Sequence, residues 1–77
     1  MREQSFSIRL HNSRKSTLNL YLEPWGEVHE LGPDKMIRIE ATGPAGRAPD
    51  NMLEIESKED SVTVWGWGGS GVTLHEL

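Results

Sequence analysis

TLNLYLEPWGEVHEL, residues 17–31, is the stretch on which the reading of this chain turns. Its first six residues alternate, with Leu18, Leu20 and Leu22 on one face and Thr17, Asn19 and Tyr21 on the other. That is the period of a half-buried strand. Glu23–Pro24–Trp25–Gly26 has proline second and glycine fourth, as a type I turn prefers. Four-residue hairpin loops are commonly built on that turn. If 17–22 and 27–31 pair as a clean hairpin, Leu22 faces Glu27, Leu20 faces His29 and Leu18 faces Leu31. Glu27 and His29 then lie on the leucine face, where burial without partners is costly. A one-residue bulge, or an arch to an opposite sheet, turns Val28 inward and leaves both polar groups in water. A one-residue shift reverses every side chain, so the arrangements exclude each other. The expectation is the bulge or arch, with the stretch acting mainly as a corner.

Alternation recurs on both sides of this corner, and no segment offers a helical face. SFSIRLH (5–11) sets Phe6, Ile8 and Leu10 against Ser5, Ser7, Arg9 and His11, and HNSRKS follows as a polar turn. GPD (32–34) turns the chain, its proline preset for the second position of a turn. KMIRIEAT (35–42) sets Ile37, Ile39 and Ala41 against Met36, Arg38 and Glu40. GPAGRAPDN (43–51) has no periodicity and reads as a loop. MLEIES (52–57), a charged turn KEDS, SVTVWGW (61–67), a glycine-rich hairpin turn at 68–71 and VTLHE (72–76) complete the chain. Six or seven short, mainly antiparallel strands with frequent turn signals predict an all-β fold. The architecture expected is a small β-sandwich or partly open barrel, one domain over 1–77.

LYLEPWGE followed by GPDKMIRIEATGP resembles a group of small uncharacterised bacterial proteins. These share a leucine-rich strand, an EPWGE-type turn and then a GP-type turn. The resemblance covers about residues 17–44 and implies no activity. The wider layout is loosely similar to immunoglobulin-like and cupredoxin-like sandwiches, which bears on fold alone.

A 77-residue chain buries only about 60% of its unfolded surface. Small domains often need disulfides, a metal or a partner for stability. Cysteine is absent, which removes disulfides, thiolate metal sites and thiol nucleophiles together. A homo-oligomer is therefore expected. No stretch approaches the ~20 apolar residues of a membrane span, and MREQSFSIRL lacks a signal-peptide core. A cytoplasmic protein is expected. The net charge is −4, unevenly spread, with Arg2, Arg9, Arg14 and Lys15 against Glu3 alone in the first fifteen residues. The acidic remainder argues against nucleic-acid binding, which rests on phosphate neutralisation. It suits pairing of one copy's basic edge with another's acidic surface.

Catalytic signals are weak. His11, His29 and His75 are the only imidazoles and lie in different strands. Glu27 and His29 share a strand face and could supply two metal ligands, but no paired-histidine motif accompanies them, and a blue-copper site would need a cysteine. GGSGV (68–72) has no strand-to-helix turn after it, as a nucleophile elbow would. GWGGSG (66–71) has no following helix to cradle phosphate. Neither catalytic residues nor a cofactor or metal is assigned. Trp65 and Trp67 stand two apart on one expected strand, which would project both from the same face, about 6.8 Å apart. If Val62 and Val64 face the core, both tryptophans lie outside and, with Trp25 nearby, are the candidate interface or ligand platform. If the tryptophans face inward they are core, and Gly66 and Gly68 make room on the outside. The function expected is a non-catalytic interaction module or self-associating subunit with a protein partner. The alternative is a carbohydrate or small-ligand module using Trp65 and Trp67, and a second is a metal-dependent enzyme using Glu27 and His29.

Overall fold

The structure, a computed structural model, describes residues 2–45 and 52–77. Seven strands follow in order: β1 (Glu3–His11), β2 (Leu18–Glu23), β3 (Glu27–Leu31), β4 (Met36–Pro44), β5 (Glu54–Ser57), β6 (Ser61–Trp65) and β7 (Gly71–Glu76). They make two open sheets, one ordered β1-β4-β7 and the other β3-β2-β6-β5. Every pairing is antiparallel except that of β2 with β6. The fold is the expected all-β sandwich, and it does not close into a barrel. Among the described residues no helix is long and apolar enough to cross a membrane. The loop expected at 43–51 begins later, because Gly43 and Pro44 extend β4; residues 46–51 lie outside the described residues.

Alternation sets the core. Leu18, Leu20, Leu22, Leu31 and Val64 from the larger sheet meet Ile37 and Ile39 from the smaller, with Ile8, Leu10, Val62, Val72 and Leu74 packed around them. Each fully buried side chain of this size contributes about 1.5–3 kcal/mol, which lets so short a chain hold two sheets together.

The corner at 23–26 is a clean hairpin, not the expected bulge or arch. Leu22 faces Glu27, Leu20 faces His29 and Leu18 faces Leu31, while Val28 is 58% exposed. The Glu23–Pro24 peptide is cis and Gly26 has φ 74°. Four strands over three explain why this register is tolerated. β3 and β5 are the outer strands of the wider sheet, so their inner faces are incompletely covered. Ile55, which points the same way as Val64, is correspondingly exposed. Glu27 and His29 stay about half in water and bond each other, His29 Nε2 to Glu27 Oε1 at 3.0 Å.

Crossings between the sheets occur elsewhere. β1 to β2, β3 to β4 and β6 to β7 all change sheet. The glycine-rich segment after Trp65 is therefore an arch rather than the expected hairpin, although Gly69 does take a positive φ of 82°. At the β3–β4 crossing, Lys35 N donates to the Gly32 carbonyl at 3.2 Å. Asp34, third in that turn, has φ 64°, the pattern of a type II turn with proline second.

Buried Asn12 ties two crossings together. Its Nδ2 donates to the carbonyls of Ser16, Leu31 and Gly32 at 2.9–3.0 Å, and its Oδ1 accepts from Arg14 N at 3.0 Å. The β1–β2 and β3–β4 arches thereby share one side chain at their junction.

Candidate functional site

The two tryptophans of residues 61–67 do not share a face. β6 ends at Trp65, and the chain then bends: Trp67 O accepts from Ser70 N at 3.0 Å and from Ser70 Oγ at 2.6 Å. Two-residue parity fails across that bend. Trp67 is only 6% exposed, donates its indole N–H to the Pro44 carbonyl at 2.8 Å and meets Phe6 edge-to-face at 5.5 Å between ring centroids. It is a core residue closing one end of the sandwich. Trp25, half-buried, packs on the core and donates Nε1–H to the Ser70 carbonyl at 3.1 Å. Gly66 makes room for it, since a Cβ there would lie 2.3 Å from Trp25 Cη2.

Trp65 behaves differently. Val62 and Val64 take the inner positions of β6, so Trp65 points outward and is 39% exposed. Parallel pairing sets Glu23 directly beside it on β2, and antiparallel pairing sets Glu54 beside it on β5. In the next row Tyr21, also exposed, lies between Val28 and Thr63, and Glu56 lies beyond Thr63. Tyr21, Glu23, Glu56, Lys58, Thr63 and Trp65 line an open depression of about 370 Å³. Carboxylates Glu23, Glu30, Glu54 and Glu56 share this outer face. Lys58 stands at the β5–β6 turn.

The other outer face carries charges of both signs. Arg9, Arg38 and His75 lie side by side across β1, β4 and β7. Glu40 stands 3.6 Å from Arg38 and 3.5 Å from His75. The three histidines are thus kept apart, each beside its own carboxylate: His11 by Asp34 at 2.9 Å, His29 by Glu27 and His75 by Glu40. Among the described residues no group of three or more histidine, aspartate or glutamate side chains is placed to hold a metal ion. The loosely elbow-like Ser70 uses its hydroxyl on Trp67 O.

No protein-family model matches the chain, and no match was found among curated proteins or solved structures. Of the sequence candidates, the structure leaves Trp65 at the surface, takes Trp67 into the core, half-buries Trp25 and brings Glu27 and His29 together. Tyr21 was missed as a site residue. Its outward parity was visible beside the leucines; the parallel β2–β6 pairing that brings it to Trp65 was not.

Proposed function

We propose that this chain is a non-catalytic interaction module that holds a basic protein segment against the outer face of its four-stranded sheet. The observation that carries this reading is Trp65, outward-facing with Tyr21 in an open depression and flanked on both neighbouring strands by Glu23 and Glu54. Exposed aromatics supply contact area at low entropic cost and recur at binding hot spots. Carboxylates around them select cationic partners by complementarity, and a guanidinium or ammonium over an indole face gains about 0.5–2 kcal/mol.

A sugar-stacking reading draws on the same Trp65 and Tyr21, but the double-tryptophan platform that first suggested it is absent, because Trp67 is buried. The metal-dependent reading lacks a third ligand at Glu27 and His29 among the described residues. Fluorescence titration with an arginine- and lysine-rich peptide, a matched acidic peptide and an oligosaccharide panel separates these. The expected result is a salt-sensitive change with the basic peptide that Tyr21→Ala abolishes. Calorimetry should show binding lost in Trp65→Phe too, a variant that also removes the reporting indole. A response to oligosaccharide alone would transfer the site to carbohydrate, and no response to any probe would overturn the assignment.

A further inference from the structure

We propose that the open edge of β1 pairs antiparallel with β1 of a second copy, about a two-fold axis at Phe6, joining two three-stranded sheets into one of six. This inference is independent of the acidic aromatic face, which lies on the other sheet.

The four sheet edges are not alike. Native sheets blunt their edges with short strands or inward-pointing charge. β3 carries Glu27 and His29 inward, β5 has only four residues, and β7 places Glu76 beside Ile37 on the inner face. β1 has nine residues, and its inner face holds Gln4, Phe6, Ile8 and Leu10 with no charge. Phe6 is 40% exposed there. Among the described residues β1 pairs with β4 alone.

Two backbone hydrogen bonds fix which groups face that edge. Ala45 N donates to Arg2 O at one end of the β1–β4 ladder and Asn12 N donates to Lys35 O at the other, both at 2.9 Å. Alternate residues bond in an antiparallel ladder. Even-numbered residues therefore bond to β4, and the backbone groups of Glu3, Ser5, Ser7 and Arg9 point to the open side.

Centring the pairing on Phe6 uses these groups and keeps inner and outer faces aligned. Glu3 then opposes Arg9 of the second copy, twice by symmetry, and Ser5 opposes Ser7. Phe6 meets Phe6 in a non-hydrogen-bonded pair, where side chains stand closest. Centring on Ser7 instead sets Ser5 against Arg9 and Glu3 against His11, whose ring already bonds Asp34, so Arg9 loses its opposed carboxylate. The strand's own sequence thus favours one self-complementary register, as a two-fold interface requires.

The test uses the full chain, which contains no cysteine. Sedimentation equilibrium at micromolar concentration should give a dimer. Glu3→Arg and Arg9→Glu should each weaken it by roughly tenfold, since each creates two like-charged pairs, and the double exchange should restore it. Glu3→Cys mixed with Arg9→Cys should oxidise to a disulfide between unlike chains, because a hydrogen-bonded pair holds its Cα atoms about 5.5 Å apart, within disulfide reach. Arg9→Cys alone should not cross-link, its two copies being about 20 Å apart along the strands. Both positions altered are exposed, and circular dichroism of each variant verifies the fold. A monomer at 100-fold higher concentration (hundreds of micromolar, roughly, against the nanomolar-to-micromolar range of specific pairs), or a dimer indifferent to both exchanges and without the 3-to-9 cross-link, would overturn the proposal.

Discussion

Gly66 and Trp25 compete for one volume: a Cβ on Gly66 would stand 2.3 Å from Cη2 and 2.7 Å from Cζ2 of the Trp25 ring, with Ser70 Oγ 2.5 Å away. The same glycine donates its N–H to the Glu23 carbonyl at 2.8 Å, prolonging the β2–β6 pairing past the end of β6. It is thus the point at which the chain leaves one sheet while the tip of the β2–β3 hairpin packs across it.

Gly66→Ala is expected to lower stability by about 1–3 kcal/mol, as overpacking does. Gly68→Ala, with nothing within 4 Å of its added Cβ, is the matched control and should be close to neutral. Urea unfolding of the two variants measures the difference. Shrinking the opposing ring with Trp25→Leu should make the Gly66→Ala penalty smaller in the double variant than alone, because residues in contact are non-additive.

The two tryptophans at 65 and 67 should respond in opposite ways. Truncating Trp67 removes a ring 6% exposed together with its bond to Pro44, and large-to-small changes of this kind cost about 3–5 kcal/mol. Trp67→Ala should therefore lose β circular dichroism at every protein concentration rather than only on dilution. Trp65→Phe should keep the fold while removing most of the acrylamide-quenchable fluorescence. Retained folding in Trp67→Ala would contradict its place in the core.

How much of this was legible can be seen residue by residue. Inner and outer faces of β1, β2 and β4 follow from alternation because each strand is long enough for the period to repeat. The failure at Trp67 has a local cause: Gly66 and the Trp67–Ser70 turn end the strand two residues early, and parity cannot be carried through a bend. The pairing of Asn19 with Ser61 and of Glu23 with Trp65 joins segments far apart in sequence, and no local pattern announces it. The hairpin register was misread for a reason of sheet width. Glu27 and His29 looked too polar for the leucine face, but an outer strand of the wider sheet leaves that face partly wet.

Asn12 gives a prediction that sequence alone did not suggest, since it reads there as one more polar turn residue. It is 1% exposed and serves three carbonyls and one amide. Asn12→Ala would strand several of these, and each buried polar group left unsatisfied costs about 1–3 kcal/mol. A loss exceeding that of any single solvent-facing substitution is expected by urea denaturation. Asn12→Asp should also destabilise, because a carboxylate cannot donate to the carbonyls of Ser16, Leu31 and Gly32. Near-wild-type stability in both variants would mean that the arches hold without their shared side chain.

The register of the β2–β3 hairpin can be tested at Val28, which faces out beside Tyr21. In the bulged or arched alternative Val28 would sit in the core instead. Val28→Lys at a surface position is expected to change stability by no more than about 0.5 kcal/mol, and lysine on an outer strand is a common guard against edge pairing. Placed in the core, the same unpaired ammonium would cost several kcal/mol and unfold so small a protein. The reciprocal change, Glu27→Val with His29→Val, extends the leucine face along β3 and removes its inward polar groups. It should leave folding intact while promoting concentration-dependent association, followed by light scattering, because an apolar edge strand without inward charge invites another strand. Unfolding by Val28→Lys would return Val28 to the interior and discard the hairpin register.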